Sequence, residues 1–206
     1  MKPHNILITV LLTITLAACS TPTVTKTSSN PAVEVTTTSS LVETSMSGIV
    51  TFADPVLEAM IRSAMGKPEG EITFAEAQGV TRMDLTDSLQ RQLSEFTPIT
   101  NLDGLEAFTN LESLDLSQNA VTDISPLAGL TKLTALSLAG NPVMDVEPLA
   151  KLTNLKLLIL SNCQAQDYNA LSNLTNLQVL WLDNSTITDV SPLASLTNLQ
   201  TLYLDK

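Results

Sequence analysis

The chain has 206 residues and a formal net charge of −11, a balance that argues against a nucleic-acid binder, which needs a basic patch, and against simple adsorption to an anionic membrane surface. Hydrophobic residues make up 44% but aromatic residues only 3%, so the apolar content is aliphatic, above all leucine, a bias typical of repeat proteins. The two cysteines, Cys19 and Cys163, set no disulfide framework.

Residues 1–18 read as an export signal. Lys2 supplies a minimal positive start, and Ile6 to Ala18 is an uncharged, mainly apolar run too short to span a bilayer comfortably. The run ends in Leu16-Ala17-Ala18-Cys19, which resembles the lipobox of bacterial lipoproteins. The resemblance implies that Cys19 becomes the mature N-terminus and takes a diacylglyceryl group, so that acyl chains hold the protein at the cell envelope. An ordinary secretory signal with cysteine at its cleavage site is the alternative. In either case His4, the only histidine, leaves with the signal. Residues 19–50 read as a tether: residues 20–47 are about half Ser and Thr, with Pro22 and Pro31, and bury too little apolar surface to offset the entropy of ordering.

Residues 51–80 are expected to form a helical N-terminal cap. Asp54 reads as an N-cap with Pro55 at the first helical position, and Leu57, Met60, Ile61 and Ala64 share one face. Gly66 to Gly70 ends that helix, and Thr73 with Glu76 three residues on has the capping-box spacing for a second, short helix. Residues 81–206 then carry the repeats. Thr81 to Leu85 looks like a first, irregular strand. Leu85 and Leu116 are separated by one period plus nine residues, so an insertion is placed at 86–94, and Ile99 to Thr109 resumes the later pattern.

Leu111, Leu133, Leu155, Leu177 and Leu199 recur every 22 residues, as do the ladders through Leu114, Leu116, Leu127 and Leu130. Each unit opens L-x-x-L-x-L-x-x-N, so the paired leucines face one side of a short strand. Asn119 and Asn141 can satisfy backbone groups in the turn that follows. Next comes Asp-Ile-Ser-Pro-Leu at 123–127, echoed at 145–149 and 189–193. Ser125 and Ser191 fit an N-cap, with Pro126 and Pro192 at the first helical position. At the Asn position stand Cys163 and Ser185, and Cys163 reads as core filler and not as a reactive thiol. Tyr168, Asn169 and Ala170 replace Ile, Ser and Pro in the third unit, whose return segment is expected to be the loosest.

This pattern is the leucine-rich repeat, and the D-I-x-P-L unit resembles the internalin-type repeats of bacterial surface proteins. The resemblance implies an α/β leucine-rich-repeat solenoid: a parallel concave sheet, short 3₁₀ or helical returns, and a role in surface interaction. Residues between the strand leucines point away from the core, and Leu157, Ile159, Val179, Trp181 and Tyr203 then form one apolar patch rimmed by Asp183 and Asp205. This patch is the expected partner-binding site, and the partner is expected to be a protein. Two alternatives stay open: a wall carbohydrate stacked on Trp181 and Tyr203, and self-association through the uncapped C-terminal strand. Without His4 no triad or His-ligated zinc site is available, so no catalytic residues and no cofactor are expected. The repeated Asp123, Asp145, Asp167 and Asp189 suit a turn-forming role better than metal binding.

Overall fold

The computed structural model describes residues 48–86 and 97–205. The signal, Cys19, the tether up to residue 47 and, save Thr86, the expected insertion lie outside that range. Within it, α1 (Pro55–Met65) begins on the Asp54 carboxylate, which accepts from Val56 N at 2.8 Å and Leu57 N at 3.2 Å. The helix ends at Gly66, whose φ of 63° is left-handed and open to glycine without strain. Leu57, Met60 and Ile61 are buried as the spacing predicts. Ala64 is exposed, and Met65, one residue on, packs against the core in its stead.

The second helix, α2 (Phe74–Gln78), has its capping box. Thr73 Oγ1 accepts from Glu76 N at 3.2 Å, and the Glu76 carboxylate accepts from Thr73 N at 2.8 Å. Residues 48–50, which the sequence places at the end of the tether, run antiparallel to 72–74. Ile49 bridges Thr73, Val50 N donates to Ile72 O, and Phe74 N donates to Gly48 O. Val50 is buried, so these residues belong to the folded unit, and two apolar positions, Ile49 and Val50, after a Ser/Thr-rich run were too weak a signal to show it. No helix among the described residues is long and apolar enough to cross a membrane.

Six strands follow: β1 (Arg82–Asp84), β2 (Ser113–Asp115), β3 (Ala135–Ser137), β4 (Leu157–Ile159), β5 (Val179–Trp181) and β6 (Thr201–Tyr203). They form one parallel sheet in chain order. Ser113 pairs with Ala135, Ala135 with Leu157, Leu157 with Val179 and Val179 with Thr201, the 22-residue period at every step. Arg82 pairs with Ser113, nine residues beyond that period, which places β1 within the expected strand from Thr81 to Leu85. The chain returns through 3₁₀ turns at Leu105–Ala107, Ser125–Gly129, Glu147–Lys151, Asn169–Asn173 and Ser191–Ser195. The result is a leucine-rich-repeat solenoid. Its ladder leucines from Leu111 to Leu182 are at most 1% exposed, whereas Leu202 in β6 is 40% exposed.

The Ser caps are corrected. Ser125 and Ser191 are the first residues of their turns, the cap positions fall on Ile124 and Val190 with no side-chain cap bond, and an aspartate carboxylate stands two residues before each serine. Asp123, Asp145, Asp167 and Asp189 accept from the backbone N of Ser125, Glu147, Asn169 and Ser191, each at 2.8 Å. The aspartate ladder is thus a series of Asx turns. Backbone and side-chain bonds from Ser125 and Ser191 hold the carboxyls of Asp123 and Asp189 below the usual range. The third return is not loosened in its bonding: it makes the same turn on Asp167, and Tyr168 fills the isoleucine position in the core.

Asparagine closes the turns after β2 and β3. Asn119 Oδ1 accepts from Ile99 N and its Nδ2 donates to the carbonyls of Leu85 and Leu116, all at 3.0 Å. Asn141 repeats the arrangement one coil later, on Val121 N, Leu116 O and Leu138 O. The ladder then thins. Cys163 Sγ donates only to Leu138 O, at 3.4 Å, and burial, outweighing a backbone hydrogen bond from Asn141, pushes its thiol pKa up to about 11, which suits core filler and not a nucleophile. Ser185 Oγ and the Tyr168 hydroxyl are buried near each other without meeting hydrogen-bond geometry. Tyr168→Phe, which removes a buried hydroxyl that lies near Ser185 and Thr186 without a well-formed hydrogen bond among the described residues, is therefore expected to raise the unfolding free energy by about 1 kcal/mol. Urea titration checks this, and a loss of similar size would show the hydroxyl to be satisfied.

Candidate functional site

The face of the sheet away from the leucine core is built from two side-chain rows. One is Arg82, Ser113, Ala135, Leu157, Val179 and Thr201; the other is Asp84, Asp115, Ser137, Ile159, Trp181 and Tyr203. Strand alternation puts both rows on this side. Polar and charged residues thus occupy β1 and β2, and the outward residues of β4 to β6 are apolar or aromatic except Thr201.

At the apolar end, Trp181 and Tyr203 are register partners, with ring centroids 4.7 Å apart and planes tilted by 56°, an attractive aromatic geometry. Tyr203 is exposed, while Trp181, Val179 and Leu157 are partly buried. Trp181 Nε1 is buried without an acceptor among the described residues. Ile159, expected on the open patch, is only 7% exposed, in the row between Ser137 and Trp181. The accessible surface is therefore narrower than expected: Leu157, Val179, Trp181 and Tyr203.

The rim residues follow directly. Asp183 is half-buried, its carboxylate accepting from Ser161 Oγ at 3.3 Å and from Asp205 N at 3.2 Å, and Asp205 is exposed. Cys19 lies outside the described residues. The site residues that sequence reasoning missed are at the other end. Asp84 and Asp115 are direct register partners on β1 and β2. Asp84 accepts from Thr86 Oγ1 at 2.7 Å, and Asp115 accepts from Ser117 Oγ at 2.6 Å. Ser117 Oγ lies 2.6 Å from Ser137 Oγ, so with its own proton committed to Asp115 it accepts from Ser137. Extending the rows back through Met83 and Leu85, across the insertion, would have found this pair.

Strands β2 to β5 are each followed by a residue in the left-handed region: Gln118 (φ 62°), Gly140 (φ 70°), Asn162 (φ 62°) and Asn184 (φ 52°). Their N–H groups donate to Ala139, Ser161, Asp183 and Asp205 of the next coil. This column turns the chain off the sheet at the same place in each coil and so fixes the row carrying Asp183 and Asp205. No group of three or more His, Cys, Asp or Glu side chains among the described residues is placed to hold a metal ion.

The family described as Leucine Rich repeats (2 copies) matches residues 92–129 and 175–206. No curated protein sequence matches the chain. Among solved structures, the chain is similar to an internalin (inlF) of Listeria monocytogenes at 27% identity and a TM-score of 0.41, over 73% of this chain and 56% of that one. It is similar to internalin C2 (inlC2) of the same species at 25% identity and a TM-score of 0.36, over 74% of this chain and 94% of that one. It is also similar to the functional domain of InlJ from that species, described as including a cysteine ladder, at 19% identity and a TM-score of 0.51, over 75% and 42% of the two chains. The chain thus spans little more than half of the first of these structures.

Proposed function

We propose that the chain is an exported protein, held at the bacterial envelope by lipid on Cys19, which binds another protein on the open face of its repeat sheet and performs no catalysis. The Trp181–Tyr203 pair carries this reading. An aromatic pair with Leu157 and Val179 beside it, on a face that no other described segment covers, has the composition of a binding hot spot. The Leu-Ala-Ala-Cys19 sequence supports the anchoring. The test is retention of envelope proteins by the immobilised chain and by Trp181→Ser. A partner retained by the first is expected to bind the second at least about tenfold more weakly. Equal retention overturns the assignment of the face.

Self-association is the second reading, favoured by the exposure of Leu202, Tyr203 and Leu204 in and after β6. Solution mass measured across concentration separates the two. A monomer leaves the face to a foreign partner, and a dimer lost in Trp181→Ser makes the face a self-interface.

A further inference from the structure

We propose that the partner presents a cationic side chain beside an apolar anchor, so that the open face is a receptor for a basic polypeptide surface. This rests on the reading of that face as a binding surface and specifies what the partner carries.

The charge on the face is sorted. Its apolar part, Leu157, Val179, Trp181 and Tyr203, is followed along β5 and β6 by Asp183 and Asp205, and β1 and β2 bring Asp84 and Asp115 directly opposite each other. The ion pairs among the described residues are Arg62–Glu58 and Lys67–Glu76, in and after α1. None of the four carboxylates on the face therefore has a described cation within ion-pair distance. Their donors are hydroxyls and amides: Thr86, Ser117, Ser161 and the backbone of Asp205. Arg82 is the single cation in the two rows, against Asp84 and Asp115.

Like charges opposite each other on neighbouring strands disfavour the fold. The leucine ladder holds them together regardless, because register is fixed by burial on the other side of the sheet. An ammonium or guanidinium group arriving between such carboxylates replaces repulsion with charge-assisted hydrogen bonds. An acidic partner would meet four carboxylates that have no cation partner among the described residues, and the repulsion of a chain with net charge −11. At about 4.8 Å between strands, the six strands span about 24 Å. A segment crossing them meets the Asp84–Asp115 pair at one end and the aromatic pair with Asp183 and Asp205 at the other. Apolar contact near β5 and β6 would then supply the anchor, and the carboxylates would select its charged neighbours.

The test is a phage-displayed library of random dodecapeptides selected on the purified chain. Recovered peptides are synthesised and titrated against the wild type, Trp181→Ser and the double variant Asp183→Asn/Asp205→Asn, with circular dichroism confirming that each variant is folded. The expected result is peptides carrying Lys or Arg next to an aromatic or aliphatic residue. Their binding is lost in Trp181→Ser, weakened about tenfold in the double variant, and weakened again as salt rises. Peptides that need Trp181 but are neutral or acidic, or that ignore the double variant, overturn the basic-partner inference and leave the binding face standing. Peptides indifferent to Trp181→Ser, or no recovered peptide at all, overturn the binding face and this inference with it.

Discussion

Asn141→Ala is expected to cost about 3–4 kcal/mol of stability, on a scale of about 1–3 kcal/mol for each buried polar group left short of a partner. The side chain is 1% exposed. Its Oδ1 accepts from Val121 N at 3.0 Å, and its Nδ2 reaches Leu116 O at 2.9 Å and Leu138 O at 3.0 Å. Alanine strands the Val121 N–H and leaves both carbonyls one donor short, in a core where water does not replace the bonds. The loss falls between the second and third coils, each of which is stabilised mainly by its neighbours. Cys163→Ala is the internal comparison, one coil further on. Cys163 donates one weak sulfur bond, at 3.4 Å to Leu138 O, and its truncation is expected to cost about 1 kcal/mol. Urea titration of both variants decides the matter: equal losses would mean that the asparagine ladder carries no special share of the fold.

That contrast also marks how far the sequence could be read. The 22-residue leucine period determined register, strand positions and core face from Leu111 onward, because a buried face tolerates no one-residue slip. Asn119 and Asn141 were legible because one chemical demand, paying the backbone groups of a buried turn, recurs at one repeat position. The aspartate ladder was legible as turn chemistry, but Ser-Pro after Asp also fits a serine cap until the hydrogen bonds are seen. Ile159 shows the limit for the candidate site. Alternation says which side of a strand a residue takes, but not how far Ser137 and Trp181 in the same row cover it. Asp84 escaped notice because the insertion breaks the period between β1 and β2. The left-handed column was hidden by Gln118, since only Gly140, Asn162 and Asn184 are residues that readily take positive φ.

Removing Asp54 should be as damaging as removing Asn141, for a reason that can be tested by pH. Asp54 is 5% exposed, and its carboxylate ties two distant segments. Oδ1 caps α1 through Val56 N and Leu57 N, while Oδ2 accepts from Thr100 N at 2.8 Å, Thr100 Oγ1 at 2.9 Å and Asn101 N at 3.2 Å. These bonds lock α1 onto the segment that leads to Leu102, Leu105 and Phe108, all at most 1% exposed. Burial alone would raise the carboxyl's pKa, but the bonds from Thr100, Leu57 and Asn101 outweigh it and hold the group below its usual value of 3.8. Because the folded-state pKa is depressed, the stabilisation is fully present above the unfolded value and is lost as pH falls through the folded one. Asp54→Ala removes an N-cap worth about 1 kcal/mol and charge-assisted bonds worth about 1.5–3 kcal/mol, so a loss of about 3–4 kcal/mol at neutral pH is expected. The same variant should show a shallower fall in stability below about pH 4, since the proton uptake that drives this part of acid unfolding is gone. Asp54→Asn keeps an acceptor for α1 but loses the charge, and should fall between the two. Urea midpoints for the three proteins at neutral and acid pH give the answer. An Asp54→Ala chain within about 1 kcal/mol of wild type at neutral pH, or one with an unchanged acid limb, would show that the contact between α1 and Thr100 does not rest on this carboxylate.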